Sequence, residues 1–293
     1  MNESKNKYSC ADFTFPLLPH NKALQLIKLL GIDAVDLGIF EDRSHHYPSH
    51  IAKNPVGTGK QLAHQLCIVG LEAADVFLQT GADSSIAAAN DPKKSVRAAN
   101  REIFLKILEF TNTLGCSHVT GLPGVIHEGK KIKDDWQRAC EETHWRIEAA
   151  NTANIVYSVE PHVGSILPDA ETTLQFINDC PGLTLTLDYG HFIYQNQTNE
   201  SVHQLIPHAS HFHARGGAKG KLQTMVKENE IDFRTIVFRL KEIGYSGFIC
   251  MEYVYVDWEG CNRTDNVSET IRLHEFLKED GCFINCKIHD QKE

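Results

Sequence analysis

The chain has 293 residues, of which 42% are hydrophobic and 23% charged, and its formal net charge is −9 at pH 7. This length suits one large α/β domain or two ordinary ones, and the apolar fraction excludes a mainly disordered chain. The negative charge argues against nucleic acid as a partner, because a phosphate backbone needs a basic surface. No apolar run reaches the roughly 18 residues that span a bilayer, and the amino terminus lacks a secretory h-region. We therefore expect a cytoplasmic protein with no membrane or nucleic-acid partner.

Short β-rich runs alternate with longer helical runs eight times along the chain. We predict strands at residues 8–18, 33–40, 74–79, 117–122, 155–160, 183–188, 209–214 and 248–254. We predict helices at about 21–30, 59–69, 93–114 and 134–153, from 169, near 201, and at about 232–243 and 266–278. Glycines such as Gly115 and Gly244 end helices in this pattern, as expected at a C-terminal cap.

This alternation predicts an α/β protein with a single (β/α)8 TIM-barrel domain over residues 1–293. Its core would run from about residue 8 to residue 280, and the C-terminal tail after Gly281 would be peripheral. A doubly wound open sheet is the alternative, but that fold needs a glycine-rich turn after its first strand. The corresponding segment, Phe15-Pro16-Leu17-Leu18-Pro19, contains no glycine, so the closed barrel is the fold that we expect.

The last four predicted strands each end in an ionisable side chain. Because side chains alternate between the two faces of a strand, parity shows which of them point into the barrel. The leucines of the sixth strand share the outer face, which leaves Asp188 pointing inward. The same count points the following residues inward: Ser158, Glu160, His211, His213, Arg215, Cys250 and Glu252. These groups would meet at the carboxyl ends of the strands, where barrel active sites are built.

Three carboxylates and an imidazole that converge at one rim repel each other unless a cation neutralises them. A single carboxylate at a strand end is usually a helix cap or an ion-pair partner, whereas four residues of the same parity indicate a metal site. The predicted ligands of one divalent ion are Glu160, Asp188, His213 and Glu252. Hard oxygen ligands without a thiolate favour Mn²⁺ first and Mg²⁺ next, with Co²⁺ and Zn²⁺ as alternatives.

Four segments of the second half of the chain carry these residues: Ser158-Val159-Glu160-Pro161-His162, Leu187-Asp188-Tyr189-Gly190-His191, His211-Phe212-His213 and Gly247-Phe248-Ile249-Cys250-Met251-Glu252. Together they resemble the sugar phosphate isomerase/epimerase family of xylose-isomerase-like TIM barrels. The segments occur in the family's order, and the resemblance spans nearly the whole chain. It implies that the four predicted ligands bind one divalent metal, that Glu160 and Glu252 form the catalytic acid/base pair, and that His191 contacts the substrate.

The sequence departs from the family pattern after the seventh strand, where Ala214-Arg215-Gly216-Gly217 replaces the usual continuation. Arg215 has inward parity and is a candidate for gripping a carboxylate or phosphate of the substrate, or for pairing with a neighbouring carboxylate. His162 shares the parity of Glu160 and is a candidate substrate contact. His211 lies one step deeper than His213, and it is a candidate either for substrate contact or for supporting the metal ligands from behind.

The predicted activity is that of a metal-dependent isomerase or epimerase acting on a small carbohydrate, either a keto-sugar or a related polyol ketone. One glutamate would remove a proton α to the carbonyl and the other would return it, through a metal-stabilised enediolate. The same apparatus can eliminate water, so a metal-dependent dehydratase acting on a keto-sugar or ketocyclitol, similar to inosose dehydratase, is the alternative. The family resemblance is also compatible with a homo-oligomer.

Two further classes are less favoured. An endonuclease IV-like DNA-repair enzyme shares this barrel, but its three zinc ions need extra histidines after earlier strands. The third predicted strand ends Gln79-Thr80-Gly81 and the fourth ends Gly121-Leu122-Pro123-Gly124, both without histidine. A non-catalytic metal- or sugar-binding protein would have no need of the paired glutamates.

Overall fold

The structure, a computed structural model, describes residues 6–279. The predicted peripheral tail after Gly281 lies outside the described residues. The strands are β1 (Lys7–Ala11), β2 (Ala34–Phe40), β3 (Glu72–Gln79), β4 (His118–Gly121), β5 (Val156–Val159), β6 (Thr184–Asp188), β7 (Ala209–Ala214), β8 (Gly216–Ala218), β9 (Lys221–Thr224) and β10 (Phe248–Met251). The helices are α1 (His20–Leu29), α2 (Pro48–Ile51), α3 (Pro55–Val69), α4 (Lys94–Leu114), α5 (Ile132–Thr152), α6 (Ala170–Asp179), α7 (Tyr189–Tyr194), α8 (Asn199–His203), α9 (Phe233–Glu242) and α10 (Asn266–Lys278).

Eight parallel strands form a closed barrel in the order β1-β10-β7-β6-β5-β4-β3-β2. The barrel closes where β1 pairs with β10, with Ser9 opposite Cys250. Because every barrel strand runs in the same direction, all eight carboxyl ends meet at one rim. The predicted (β/α)8 barrel is therefore confirmed.

The two faces of the barrel strands differ in chemistry, as the parity argument predicts. Leu185 and Leu187 of β6 are fully buried in the apolar layer between the barrel and the helices. Inside the barrel, the Thr186 hydroxyl lies 2.7 Å from that of Thr120 and 2.6 Å from that of Ser158. These hydrogen bonds join β4, β5 and β6 across the interior and satisfy polar groups that would otherwise be buried alone.

Several elements differ from the sequence prediction, among them the first strand, the unpredicted short helices α2 and α7, and the segment after β7. Strand β1 ends at Ala11 rather than continuing to residue 18, because a 3-10 turn follows at Asp12–Thr14. After β7 the chain forms the antiparallel hairpin of β8 and β9, which the sequence analysis did not identify. Gly216 permits this hairpin, since a Cβ at this position would lie 2.6 Å from the carbonyl oxygen of Thr224.

Within residues 6–279, no helix is both long enough and apolar enough to cross a membrane.

Candidate metal centre and active-site cavity

A cavity of about 480 Å³ opens at the carboxyl ends of the barrel strands. Its polar side is lined by Glu160, His162, His191, Arg215 and Glu252. Apolar side chains form much of the remaining wall, among them Phe13, Phe40, Phe77, Leu122 and Val254. The polar groups converge on one side of a concave, largely apolar space, which is the usual construction of a small-molecule site.

The two glutamates are held rigidly although each follows its strand by one residue. The Glu160 amide donates a hydrogen bond to the carbonyl oxygen of Gly121 on β4, at 3.0 Å. The Glu252 amide donates in the same way to Ala214 on β7, at 2.9 Å. The barrel hydrogen bonding therefore continues through both residues, which fixes the direction of their side chains.

Three of the four predicted metal ligands lie together, because the carboxylates of Glu160 and Glu252 both contact the imidazole of His213. His213 Nδ1 lies 2.7 Å from Glu160 Oε1 and 3.4 Å from Glu252 Oε1. One potential ligand atom from each of these residues lies within 4.8 Å of the other two. The side chains of all three are at most 5% exposed, so the cluster lies in a medium that strengthens electrostatic interactions.

The fourth predicted ligand, Asp188, is already engaged by other groups. Its Oδ1 caps helix α7 by accepting a hydrogen bond from the Gly190 amide at 2.7 Å. Its Oδ2 accepts one from Arg215 Nη2 at 2.6 Å. Asp188 forms a separate group with Glu160 and His191, whose ligand atoms also lie within 4.8 Å of one another. The structure thus connects Asp188 to the other ligands through Glu160 rather than placing all four around one point.

Arg215 adopts one of the two roles that the sequence left open, since it pairs with a carboxylate. Its Nη2 is also 3.0 Å from His191 Nε2 and 3.8 Å from Glu252 Oε2. Arg215 nevertheless lines the cavity, and its buried Nε has no hydrogen-bond partner among residues 6–279. Arg215 is thus a candidate contact for a bound molecule through the part of its guanidinium that lines the cavity.

The pKa shifts of these residues reflect burial and mutual charge. Burial raises the pKa of Glu252 to about 8, although His213 and Arg215 attract the ionised form. Burial likewise raises the pKa of Asp188, against the attraction of Arg215. Burial opposes protonation of His213, but Glu252, Asp36 and Glu160 outweigh it and raise its pKa well above the usual range. The protein thus retains protons among these groups to limit the repulsion between buried carboxylates.

The residues at this centre fit a divalent cation. The centre contains three carboxylates and one guanidinium, that of Arg215, so its net charge is −2 when its histidines, His191 and His213, are neutral. One divalent ion would balance this charge. The three carboxylates are those of Glu160, Asp188 and Glu252. Glu252 Oε2 is buried and has no hydrogen-bond partner in the described part of the chain, so one hard ligand atom is free to bind an ion. Carboxylate oxygens with one imidazole nitrogen suit Mn²⁺, Mg²⁺ or a similar ion.

The remaining predicted substrate contacts separate into two groups. His162 and His191 line the cavity, and His162 Nε2 is buried without a hydrogen-bond partner in the described residues. Burial lowers the pKa of both histidines, so both are neutral imidazoles at pH 7. His211 does not line the cavity, because its ring lies deeper in the barrel with Nε2 2.5 Å from Asp36 Oδ2. This position favours the second role predicted for His211, a group that supports the ligands from behind.

Asp36 is a buried residue of this centre that sequence reasoning missed. It lies in the middle of β2 and is fully buried. No motif marks it, and it is far in sequence from the other site residues. The signal that could have found it is a carboxylate of inward parity within the otherwise apolar run Ala34–Phe40.

Comparisons with known proteins agree with this fold. The structure is similar to that of a D-psicose 3-epimerase solved in the presence of D-fructose, with a TM-score of 0.74. The match covers 94% of this chain and 99% of that one, at 14% sequence identity. The probable 3-DHS dehydratase AsbF of Bacillus anthracis is 14% identical, with a TM-score of 0.68 over 92% and 98% of the two chains. An AP endonuclease, family 2, from Brucella melitensis is 15% identical, with a TM-score of 0.69 over 93% and 98%. At such identities, these similarities show the fold alone.

No curated protein sequence matches the chain significantly. The family profile described as xylose isomerase-like TIM barrel matches residues 24–279. This range includes seven of the eight barrel strands and every residue of the polar side of the cavity. The chain therefore belongs to the xylose isomerase-like TIM-barrel family.

Proposed function

We propose that this protein is a divalent-metal-dependent isomerase or epimerase that acts on a keto-sugar or a related polyol ketone. The observation that carries the proposal is the position of Glu160 and Glu252, which both line the cavity and both contact His213 Nδ1. Two carboxylates beside one bound carbonyl compound can remove a proton from carbon and return one elsewhere. The similarity of the fold to a D-psicose 3-epimerase supports this reading.

Each residue of the polar side has a proposed role in this reaction. Glu160, His213 and Glu252 would hold the ion, with Asp188 as the fourth predicted ligand and Mn²⁺ as the preferred metal. When bound, such an ion polarises a carbonyl group and stabilises negative charge on its oxygen. One of the two glutamates abstracts the proton α to the carbonyl, and the other acts as the acid.

The substrate would be oriented by the groups that surround the glutamates. His162 Nδ1 donates a hydrogen bond to the carbonyl oxygen of Val163 at 2.8 Å, so in the neutral ring the unpartnered Nε2 can accept a hydrogen bond from a hydroxyl group. His191 and Arg215 lie together beside Asp188 and can bind a hydroxyl or an anionic group. The aromatic wall of Phe13, Phe40 and Phe77 would exclude water from the reacting carbon.

A dehydratase that acts on a keto-sugar or ketocyclitol is the second candidate. The presence of Arg215 in the cavity wall favours it, because a guanidinium there suits a substrate with an acidic substituent. The similarity of the fold to a probable 3-DHS dehydratase is consistent with this candidate. Both reactions begin with the same proton abstraction, so the same glutamates would serve either of them.

Proton NMR and mass spectrometry in D₂O distinguish the candidates. Metal-stripped protein is supplied with MnCl₂ and incubated with a panel of ketopentoses, ketohexoses, their phosphates and ketocyclitols. Isomerisation or epimerisation predicts a product that carries one carbon-bound deuterium and keeps all its oxygen atoms, whereas elimination predicts loss of one water. An abasic-site DNA duplex is included in the panel, and cleavage of it without turnover of any carbonyl compound would overturn the proposal.

The metal, the location and the assembly state belong to the same proposal. Metal analysis of protein purified without added ions would identify the native ion, which we expect to be Mn²⁺. We propose a cytoplasmic location and a small carbohydrate as the only ligand besides the ion. We also propose that the chain can form a homo-oligomer, and light scattering after gel filtration would test this by measuring the molar mass in solution.

A further inference from the structure

We propose that Asp36 positions His213 for metal binding, by accepting a hydrogen bond from the ring nitrogen that faces away from Glu160 and Glu252. Asp36 is thus a positioning residue, because it would act through His213 rather than touch the ion or the substrate. This inference rests on the proposed function only in requiring that a divalent ion binds at His213.

The imidazole of His213 has carboxylates on both of its nitrogen sides. Its Nδ1 faces Glu160 and Glu252, at 2.7 and 3.4 Å. Its Nε2 has no hydrogen-bond partner in the described chain, and the nearest carboxylate oxygen recorded for it is Asp36 Oδ2, at 3.5 Å. A small movement of either side chain would close this gap to a hydrogen bond. A neutral imidazole that offers one nitrogen to a metal carries its proton on the other. That proton would lie on Nε2 and point at Asp36.

Neighbouring side chains hold both members of this pair in place. The ring of Phe77 packs against His213, with ring centroids 5.6 Å apart. Asp36 Oδ2 is also fixed from the other side by His211 Nε2, at 2.5 Å. Asp36 and His213 are each at most 1% exposed, so water cannot replace the carboxylate as the acceptor. A carboxylate that accepts from the second nitrogen of a metal-bound histidine fixes the ring orientation and raises its basicity.

The same residues could be read as a second metal site, because ligand atoms of Asp36, His211, His213 and Cys250 lie within 4.8 Å of one another. The position of the group argues against that reading. Asp36, His211 and Cys250 do not line the cavity and are at most 1% exposed, so an ion among them would lack the open position that a catalytic metal needs. Asp36 Oδ2 and His211 Nε2 are 2.5 Å apart, which is the separation of a hydrogen-bonded pair. We therefore assign this group as a hydrogen-bonded support, and the number of ions bound per chain tests the assignment.

Asp75 provides a matched control for Asp36. It is a fully buried carboxylate on the neighbouring strand β3, and it also pairs with a histidine, since Asp75 Oδ1 is 2.6 Å from His118 Nδ1. The second nitrogen of His118 binds the hydroxyl of Ser210. Neither Asp75 nor His118 contacts Glu160, His213 or Glu252 in the described structure. The change Asp75→Asn therefore removes the same buried charge without changing the partner of His213.

The experiment measures Mn²⁺ binding to metal-stripped wild type, Asp36→Asn, Asp36→Glu and Asp75→Asn. The loss of the free Mn²⁺ signal in electron paramagnetic resonance gives the Kd and the stoichiometry without any substrate, and thermal unfolding of the metal-free proteins verifies that each variant is folded. We expect one ion per chain, a Kd about 10–100-fold weaker in Asp36→Asn, and a change of less than about 3-fold in Asp75→Asn. If Asp36→Asn does not fold, Asp36→Glu takes its place, since its displaced carboxylate should also weaken the Kd by about 10-fold or more.

Three results would overturn the proposal. The first is a wild-type Kd in the folded Asp36 variant. The second is an equal weakening in Asp75→Asn, which would show a general effect of lost charge. The third is two ions bound per wild-type chain with one of them lost in Asp36→Asn, which would make Asp36 a ligand.

The wild-type protein separates this inference from the proposed function. If it binds Mn²⁺ but turns over none of the carbonyl compounds, the proposed function is refuted and the role of Asp36 is not. If it binds no Mn²⁺, both are refuted.

Discussion

Arg215 Nη2 lies 2.6 Å from Asp188 Oδ2, so the buried guanidinium neutralises one of the predicted metal ligands from within the chain. Both side chains are at most 3% exposed. Arg215 therefore already supplies one of the three positive charges that the three carboxylates require, and a divalent ion would supply the other two.

This arrangement predicts that replacement of Arg215 makes the fold depend on metal. In Arg215→Met, Asp188 and Glu252 lose their buried cation, and breaking a buried pair in this way costs about 3–5 kcal/mol of unfolding free energy. Mn²⁺ should then restore stability by direct attraction to the same carboxylates. We expect the Tm of metal-free Arg215→Met to fall well below that of wild type, and its rise on addition of Mn²⁺ to exceed the wild-type rise.

Arg43→Met is the control, because Arg43 also lines the cavity but bonds to Gln79 and not to the carboxylates of the centre. Differential scanning calorimetry with and without Mn²⁺ measures both variants. Equal Mn²⁺-induced shifts in wild type and Arg215→Met would contradict this account of charge balance.

The paired glutamates predict a second result. Glu160→Gln and Glu252→Gln should each lower kcat by at least ~10²-fold, since each change removes a group that transfers a proton in the proposed reaction. Exchange of the substrate α-proton with D₂O should slow in at least one variant, because abstraction precedes every later step. Glu109→Gln, at an exposed position on α4, should retain the wild-type rate. A glutamine variant that turns over at the wild-type rate with its metal bound would remove that residue from the mechanism.

The barrel and the inward direction of its site residues could be read from the sequence because they depend on local periodicity. Alternation along β6 is enough to point Asp188 away from the side of the buried Leu187, and alternation along β7 does the same for His213 and the buried Phe212. The pairing of these side chains across the barrel depends instead on strand stagger and rotamers, which no local pattern encodes. The sequence could therefore give Arg215 two possible roles but could not identify Asp188 as its partner. In the same way, Asp36 could not be connected to His211 across 175 residues.

The proposed metal centre predicts that chelation lowers the stability of the whole protein. An ion that binds only the folded state stabilises it by about 2.7 kcal/mol when its free concentration is 100 times Kd. For a chain of this size the Tm should then fall by roughly 4–5 °C when EDTA removes the ion, and Mn²⁺ should restore both Tm and turnover. The double variant Glu160→Gln/Glu252→Gln should show almost no EDTA effect. An EDTA shift of the same size in that variant would place the stabilising ion elsewhere.

His274 predicts a pH dependence of stability that is separate from the metal centre. It lies on α10 and is 5% exposed, with its ring packed edge-on against Tyr8 at 5.1 Å. Burial, together with the positive charge of Lys278, lowers the pKa of His274 to about 4. Between about pH 6.5 and pH 4, the unfolded chain, with a histidine pKa near 6.5, therefore takes up a proton that the folded protein does not. The stability that neutral His274 contributes is lost as the pH falls through this range.

The variant His274→Phe keeps an aromatic ring against Tyr8 but cannot titrate. The urea midpoint should therefore fall less steeply with decreasing pH in this variant than in wild type. Parallel curves for the two proteins between pH 7 and pH 4.5 would show that His274 is protonated equally in both states.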